Sequence, residues 1–398
     1  MEKLQVWLPV LGLAVAAFVF NTSEFLPVGL LPEIAKSLDI SIQKTGLVMT
    51  GYAWVVAIAS LPLTVLTARL ERKKLLLWLL VIFCLSHVLV LWACTFELLL
   101  GARICVALTH AIFWSIMTPL AARMAPYGKG PLGLAIVQGG SIVATVLGVP
   151  IGTQLGLWIG WQNAFFVVGI VAAMVWLLLF VTLPLVPSKK AGSLASLPVI
   201  LKRPALLQIY LLTMVIVLGQ FTVYSYITPV LANLGHLDSS AIIFVLFVYG
   251  ISGIIGTVFC ARFIDHHPNT VFLSSMIILG TSMALLAATC TSLPALVPLV
   301  VFWGAAMTAV CMCLQVFLLR TAHDATDVAT SLFSGIFNVG IGGGAFLGGM
   351  ASAQLGYGSL GYIGFAMVLA AFLLCLAVFL RRGEVLWNQK TSSAESGE

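Results

Sequence analysis

VPSKKAGSLASLPVILKRP, residues 186–204, is the one long polar stretch inside an otherwise greasy chain, and where it falls decides the fold. It is basic and rich in Ser, Pro and Gly, with no apolar periodicity, so it reads as a linker. Six apolar segments precede it, over 7–31, 46–68, 75–95, 99–122, 132–157 and 161–184. Six follow, over 205–231, 239–262, 271–290, 294–319, 328–353 and 359–380. A helix needs about 20 mostly apolar residues to cross a bilayer. Only 8% of the residues are charged against 61% apolar, whereas soluble domains carry about 25% charge. The expected architecture is an all-α membrane protein of twelve transmembrane helices in two six-helix bundles. The bundles occupy 1–185 and 205–382, and a polar tail, 383–398, follows the second. The first segment is longer than a signal-peptide core and has only Lys3 ahead of it as a basic residue, so it reads as a permanent helix.

Laying one half over the other brings NTSEFLPV (21–28) onto VYSYITPV (223–230), with Pro27 over Pro229. In the fifth segments GVPIG (148–152) falls near GAFLG (344–348). Nearly equal offsets point to duplicated, pseudo-symmetric bundles, an arrangement that puts a transport site between the halves near mid-membrane. The net charge of +6 sits in short loops. Arg69, Arg72, Lys73, Lys74, Arg123 and most other basic residues fall on one side, while the opposite side has only Lys36 and Lys44. By the positive-inside rule both termini are cytoplasmic, and the basic excess sets orientation rather than binding nucleic acid.

Enzyme and metal readings fail on context. The eight cysteines are scattered through apolar segments, with no CxxC and no histidine cluster at metal-ligand spacing. GIGGGA (340–345) has the glycines of a dinucleotide fingerprint but lies inside an apolar span without a βαβ unit. PYGKGPLG (126–133) lacks the spacing and the Ser/Thr of a P-loop.

The basic loop RLERKKLLL after helix 2, LLLGARICVALTHA on helix 4 and LGVPIGTQLG on helix 5 resemble the major facilitator superfamily. FVFNTSEFLPVGLLPEIAKSLDIS, HAIFWSI, GWQNAFF and ATSLFSGIFNVGIGGGAFLGG resemble the bacterial sugar efflux transporters of its drug/proton antiporter branch. The likeness spans the chain, with departures. Ala68 and Glu71 stand where the loop motif usually has Asp and Gly, Gln162 replaces the arginine of Gly-Trp-Arg, and Val106 and Ala107 replace Gln and Gly on helix 4. The resemblance implies a monomeric multi-pass protein of the bacterial inner membrane with a small-molecule solute, and with a proton rather than a cofactor as its coupling partner.

Glu24 is the residue that the apolar pattern does not explain. Leu8 to Phe20 is apolar, a rise of about 20 Å, so Glu24 lies past mid-membrane. Helix 4 runs the other way, which brings Arg103 to a similar depth. Asn21 is one turn from Glu24 on the same face. A carboxylate removed from water resists ionising, a nearby guanidinium favours its charged form, and a group between those pulls can load and release a proton. Ionisable residues inside a membrane are functional by default. The resemblance gives Glu24 the proton-coupling role and makes Arg103 its modulator; a static ion pair joining two helices is the structural alternative. His110, with Trp114 one turn on, suits a hydroxylated ligand. In the second half Gln220, Tyr224, Tyr226, Trp303 and Asn338 offer donors, acceptors and aromatic faces of the kind a sugar needs. His87, on a helix that is peripheral in this superfamily, reads as packing. Glycines spaced by four on helix 5 (Gly148, Gly152, Gly156) and helix 11 (Gly340, Gly344, Gly348) make flat stripes for close helix approach. Pro150 permits a bend in the first stripe. The resemblance assigns Gly148, Pro150 and Gly152 to the bundle interface.

Together these readings predict a secondary transporter, not an enzyme, that exports sugars or sugar-like solutes from the cytoplasm by proton antiport with alternating access. A multidrug/proton antiporter of the same fold and an uncoupled facilitator are the competing readings.

Overall fold

The computed structural model describes residues 2–187, 200–322 and 326–382. Twelve spans run in chain order: α1 (Glu2–Ser37), α2 (Ile42–Leu66), α3 (Arg72–Val90), α4 (Phe96–Met124), α5, α6 (Trp161–Thr182), α7, α8 (Ser239–Phe263), α9 (Pro268–Thr289), α10 (Leu293–Thr321), α11 (Thr326–Leu355) and α12 (Ser359–Arg382). α5 comprises Gly130–Val143, a π-helical turn Ala144–Gly148, and Val149–Ile159; α7 comprises Pro204–Tyr224 and Ile227–Asn233. All twelve contain a stretch long and apolar enough to cross a membrane, and no strand occurs among the described residues. Most of the 186–204 linker and the whole 383–398 tail lie outside the described residues.

Polar residues start the helices where the apolar runs begin. Ser41, Thr95 and Asp238 cap α2, α4 and α8 by accepting from the backbone N–H of Lys44, Leu98 and Ala241. Gly160 (φ 90°) turns α5 into α6, and Gly356 (φ 79°) turns α11 into α12, so both bundles use a left-handed glycine at the same link.

Prolines explain where the helices depart from the expected uniform spans. A helical proline lacks its N–H and crowds the carbonyl four residues back. Pro229 does this to Ser225, and α7, expected unbroken over 205–231, is interrupted at Ser225–Tyr226. Pro150 does it to Val146, which sits in the widened π-helical turn of α5. α1 absorbs Pro27 and Pro32 without a break and reaches Ser37, beyond the expected end at 31.

One apolar core draws on α1–α6, on Ala93 between α3 and α4, and on Leu183 and Val186 just past α6. The other draws on Ile200 and the second-half helices, and it also takes in Val28, Leu31, Met49, Ala53 and Val149 from the first bundle. Those five residues lie from mid-span toward the face opposite the chain ends, here the far face; the face carrying Glu2 and Arg382 is the terminal face. α2 packs on α11, and α5 on α8, to join the bundles. Further links near the far face are Phe25 on Phe221 (ring centroids 6.0 Å apart), Gln43 to Ser352 (3.3 Å) and the Thr228 hydroxyl to the Val28 carbonyl (2.8 Å). Toward the terminal face the inner helices carry exposed apolar residues: Leu11 and Val15 (both 39%) on α1, Leu207 (46%) and Leu211 (43%) on α7. From Gly219 to Leu231 α7 is buried throughout. The bundles therefore touch at the far face and part toward the terminal face.

At the terminal face Glu71 stands where the loop motif has glycine. Its carboxylate caps α3, accepting from Lys73 and Lys74, and also accepts the Val186 N–H, while the Arg72 N–H bonds the Val186 carbonyl. Arg123 donates to the Pro187 carbonyl. The chain leaving the first bundle is thus tied to the ends of α3 and α4. Partial burial pushes the Glu71 carboxyl up, but the N–H groups of Val186, Lys74 and Lys73, with the Lys74 charge, outweigh it and hold the group below the usual carboxylate range.

Candidate functional site

Glu24, Arg103 and His110 converge in the interior of the first bundle, all buried. Arg103 does not pair with the Glu24 carboxylate; its Nη2 donates to the Glu24 carbonyl at 3.4 Å and its Nη1 to the Ser23 hydroxyl at 2.9 Å. The guanidinium lies over the Tyr52 ring, 4.4 Å from the centroid, and 5.5 Å from that of Phe165, so aromatic faces share its charge. The carboxylate looks instead to His110, Oε2 to Nε2 at 3.7 Å. The other ring nitrogen of His110 meets the Tyr52 hydroxyl at 2.7 Å. Phe20, Phe83 and Phe113 pack together one turn toward the terminal face, with Phe20 and Phe113 stacked 3.9 Å apart, and floor this polar centre with hydrocarbon.

Two hydrogen-bond chains leave the centre, and they differ in direction. His87 Nδ1 lies 2.8 Å from the Phe83 carbonyl, which only accepts, so that nitrogen carries the hydrogen. In a neutral imidazole Nε2 is then an acceptor, and the Ser23 hydroxyl, 2.9 Å away, donates to it. The series Arg103 to Ser23 to His87 to Phe83 thus runs one way. Between Tyr52 and His110 either partner can donate. If Tyr52 donates, Nε2–H faces a carboxylate; if Nδ1 donates, a bare Nε2 faces a group that holds the proton itself.

Asn21 and Trp114 sit at the edge of this centre. Asn21 is half-buried, in line with Phe18 and Phe25 on the α1 stripe that continues from Leu11 and Val15. Trp114, also half-buried, lies 6.2 Å from His110.

In the second bundle Gln220 takes the Trp303 indole N–H at 2.8 Å and gives its amide N–H to the Tyr249 hydroxyl at 2.7 Å. Tyr224 stacks on Tyr249 at 4.7 Å, and Trp303 stands edge-on to both. Gln220 and Trp303 are buried and already joined, so they hold the two tyrosines in place. Tyr226 is elsewhere: its hydroxyl inserts between Gly46 of α2 and Gly349 of α11, where a Cβ on either glycine would collide with it. It closes the seam between the bundles near the far face. Asn338 is buried, donates to the Ser334 carbonyl at 3.0 Å, and has an Oδ1 with no partner.

The helix 5 glycines face their own bundle. Gly148, Gly152 and Gly156 receive Thr22, Leu26 and Leu30 of α1; Gly340, Gly344 and Gly348 likewise receive α7. Contact across the bundles comes from the π-helical turn, whose Thr145 and Val146 backbone crosses Gly250 of α8, while Pro150 borders a crevice lined by Phe244 and Phe247.

Sequence reasoning sets His87 aside as packing and passes over Ser23 as a partner and Tyr249 altogether. A signal for the tyrosine exists: Tyr52 and Tyr249 fall at the same register, ten residues past the first of α2 and of α8.

The Major Facilitator Superfamily model matches residues 13–328, most of the chain. The chain belongs to the major facilitator superfamily. Solved structures share its fold at low identity. A bacterial homologue of the human lysosomal transporter Spinster, in an inward-facing and unoccupied conformation, superposes with a TM-score of 0.75 at 17% identity over 95% of this chain and 98% of its own. A point mutant of the nucleoside transporter NupG gives 0.73 at 14% over 93% and 100%. The human organic anion transporter MFSD10 gives 0.67 at 18% over 94% and 99%. Membership in this superfamily makes the chain a multi-pass membrane transporter of small-molecule solutes, not an enzyme.

Proposed function

We propose that this superfamily member exports sugars or sugar-like solutes from the cytoplasm by proton antiport. The observation that carries the reading is the Glu24 carboxylate, buried away from lipid and water, with His110 and not Arg103 at its acid end. A carboxylate locked to a guanidinium is a fixed ion pair; one that faces an imidazole has a partner able to hold or hand back a proton. The solute side rests on chemistry next to that centre. Asn21 and Trp114 border the stripe open toward the terminal face, and in the second bundle the Tyr224–Tyr249 stack offers aromatic faces.

The terminal face is the cytoplasmic one by its excess of lysine and arginine, so a form parted on that side takes its solute from the cytoplasm. The solute enters there with Glu24 ionised, the bundles rock to close the terminal face and open the far face, and a proton taken by Glu24 accompanies the return. No group is assigned to a metal or organic cofactor; the proton is the coupling ion, and the chain works as a monomer in the bacterial inner membrane.

The experiment is solute flux from reconstituted vesicles with and without an imposed pH gradient, run with labelled sugars and with lipophilic cationic dyes. Gradient-driven movement of sugars supports the reading. Sugar flux indifferent to the gradient makes the protein a facilitator, and dye transport without sugar transport makes it a multidrug antiporter.

A further inference from the structure

α3 packs on α4 and α6, away from the gap between the bundles, yet it sends one buried polar side chain inward to α1. His87 is anchored at both ring nitrogens, to Phe83 and to Ser23. Gly169 of α6 leaves it room, because a Cβ there would stand 2.8 Å from the His87 Cβ. Arg103 Nη1 terminates on the Ser23 hydroxyl, and Arg103 Nε has no partner. The guanidinium therefore has few anchors, and Ser23 is the one that turns it from the neighbouring carboxylate.

We infer that Ser23 and His87 are positioning residues for the proton site, a lever that holds Arg103 on the Glu24 backbone so that the carboxylate stays with His110. The inference rests on the proton-antiport reading for its use but not for its geometry. Because Phe83 fixes the His87 tautomer, the Ser23 hydrogen is committed to His87 and the Ser23 lone pairs to Arg103. With His87 lost, nothing fixes the Ser23 rotamer that presents its lone pairs to Arg103, and the loosened guanidinium finds the strongest acceptor nearby. That acceptor is the Glu24 carboxylate one residue on, and a bidentate pair there is a stronger bond than any Arg103 now makes. The groups that face this arrangement are Arg103 and His110 from α4, Tyr52 from α2, His87 from α3 and Phe165 from α6, so Arg103 is the one permanent charge able to capture the carboxylate.

The test uses the full chain in phospholipid vesicles, with efflux of a radiolabelled thiogalactoside followed against pH. Ser23→Ala and His87→Phe are each expected to move the pH of half-maximal efflux acidward by about one unit, a tenfold change in proton concentration, and the double variant no further, as for two links of one chain. His87→Gln, whose amide oxygen accepts from Ser23, is expected to restore the wild-type profile. An unmoved profile with a lowered rate in both single variants overturns the inference and leaves plain packing. A second readout needs no transport: the infrared band of a protonated carboxyl, identified by its loss in Glu24→Gln, is expected to be weaker in Ser23→Ala than in wild type at the same pH. Equal bands overturn the lever. A changed band in a protein whose efflux ignores the pH gradient keeps the lever and overturns the antiport reading.

Discussion

In the first bundle the inner helices meet around a carboxylate, a guanidinium and two imidazoles; in the second, related helices meet around an amide, an indole and two phenols. The skeleton is shared. Tyr52 and Tyr249 occupy the same register of α2 and α8, each bonded by its hydroxyl to a polar side chain of an inner helix, His110 in one case and Gln220 in the other. What differs is charge. On the antiport reading proposed above, a duplicated fold that keeps its tyrosine and changes what the tyrosine holds divides the labour: the ion-handling groups gather in the first bundle, and the second adds uncharged surfaces for the solute beside Asn21 and Trp114.

That division is broken most severely at Glu24. Glu24→Gln keeps the shape of the side chain and removes its ionisation, so gradient-driven efflux is expected to fall to background while solute exchange without a gradient persists. Efflux and counterflow measured on the same vesicles check this, and loss of both together means that the residue does more than couple the proton. The matching change in the second bundle is Gln220→Leu, which strands the buried Trp303 N–H at a cost of about 1–3 kcal/mol. The expected result is a KM raised roughly tenfold with the pH profile unmoved. If Gln220→Leu shifts the pH profile, the two bundles are not chemically separate.

A smaller effect probes the seam where the bundles meet. Gly46→Ala puts a methyl group against the Tyr226 hydroxyl, so closure at the far face is hindered. Efflux is expected to slow several-fold, and a cysteine placed near Gln354 to become more reactive to a membrane-impermeant thiol reagent. Tyr226→Phe in the same chain removes the colliding hydroxyl and is expected to recover most of the rate. Unchanged labelling with a slowed rate would make the contact mere packing.

The level that Glu24 shares with Arg103, the two bundles and the twelve apolar helices were legible because helical rise and length leave few choices for a chain this apolar. Partnership was not. Counting rise brings Arg103 level with Glu24 but cannot say that the guanidinium turns to a carbonyl, since that depends on Ser23 and on a histidine from a third helix. Tyr226 shows the same limit: two residues past Tyr224 it points to the opposite side of α7, and the pattern does not say that Gly46 and Gly349 wait for it there. Glu71 was visible only as a departure from a motif. Its use as a cap that also holds Val186 joins residues far apart in the chain, and no local pattern carries that.

The Glu71 clamp at the terminal face differs from the buried centre in being a surface carboxylate that serves stability. The folded-state pKa of Glu71 is depressed, so its contribution to stability is fully present above the unfolded-state value and is lost as pH falls through the folded-state value. Glu71→Gln weakens the cap on α3 and the tie to Val186 together. Because the group is only partly buried, solvent screening limits the loss to about 1 kcal/mol or less at neutral pH. Thermal unfolding of the two proteins in detergent is expected to differ slightly at pH 7 and to converge as pH drops below the usual carboxylate range, where the wild-type clamp is protonated too. Efflux by the variant is expected to keep the wild-type pH profile, since the clamp touches neither Glu24 nor His110. A gap in stability that persists into acid would mean that Glu71 acts through packing rather than charge, and a displaced transport profile would tie this face of the molecule to the proton site.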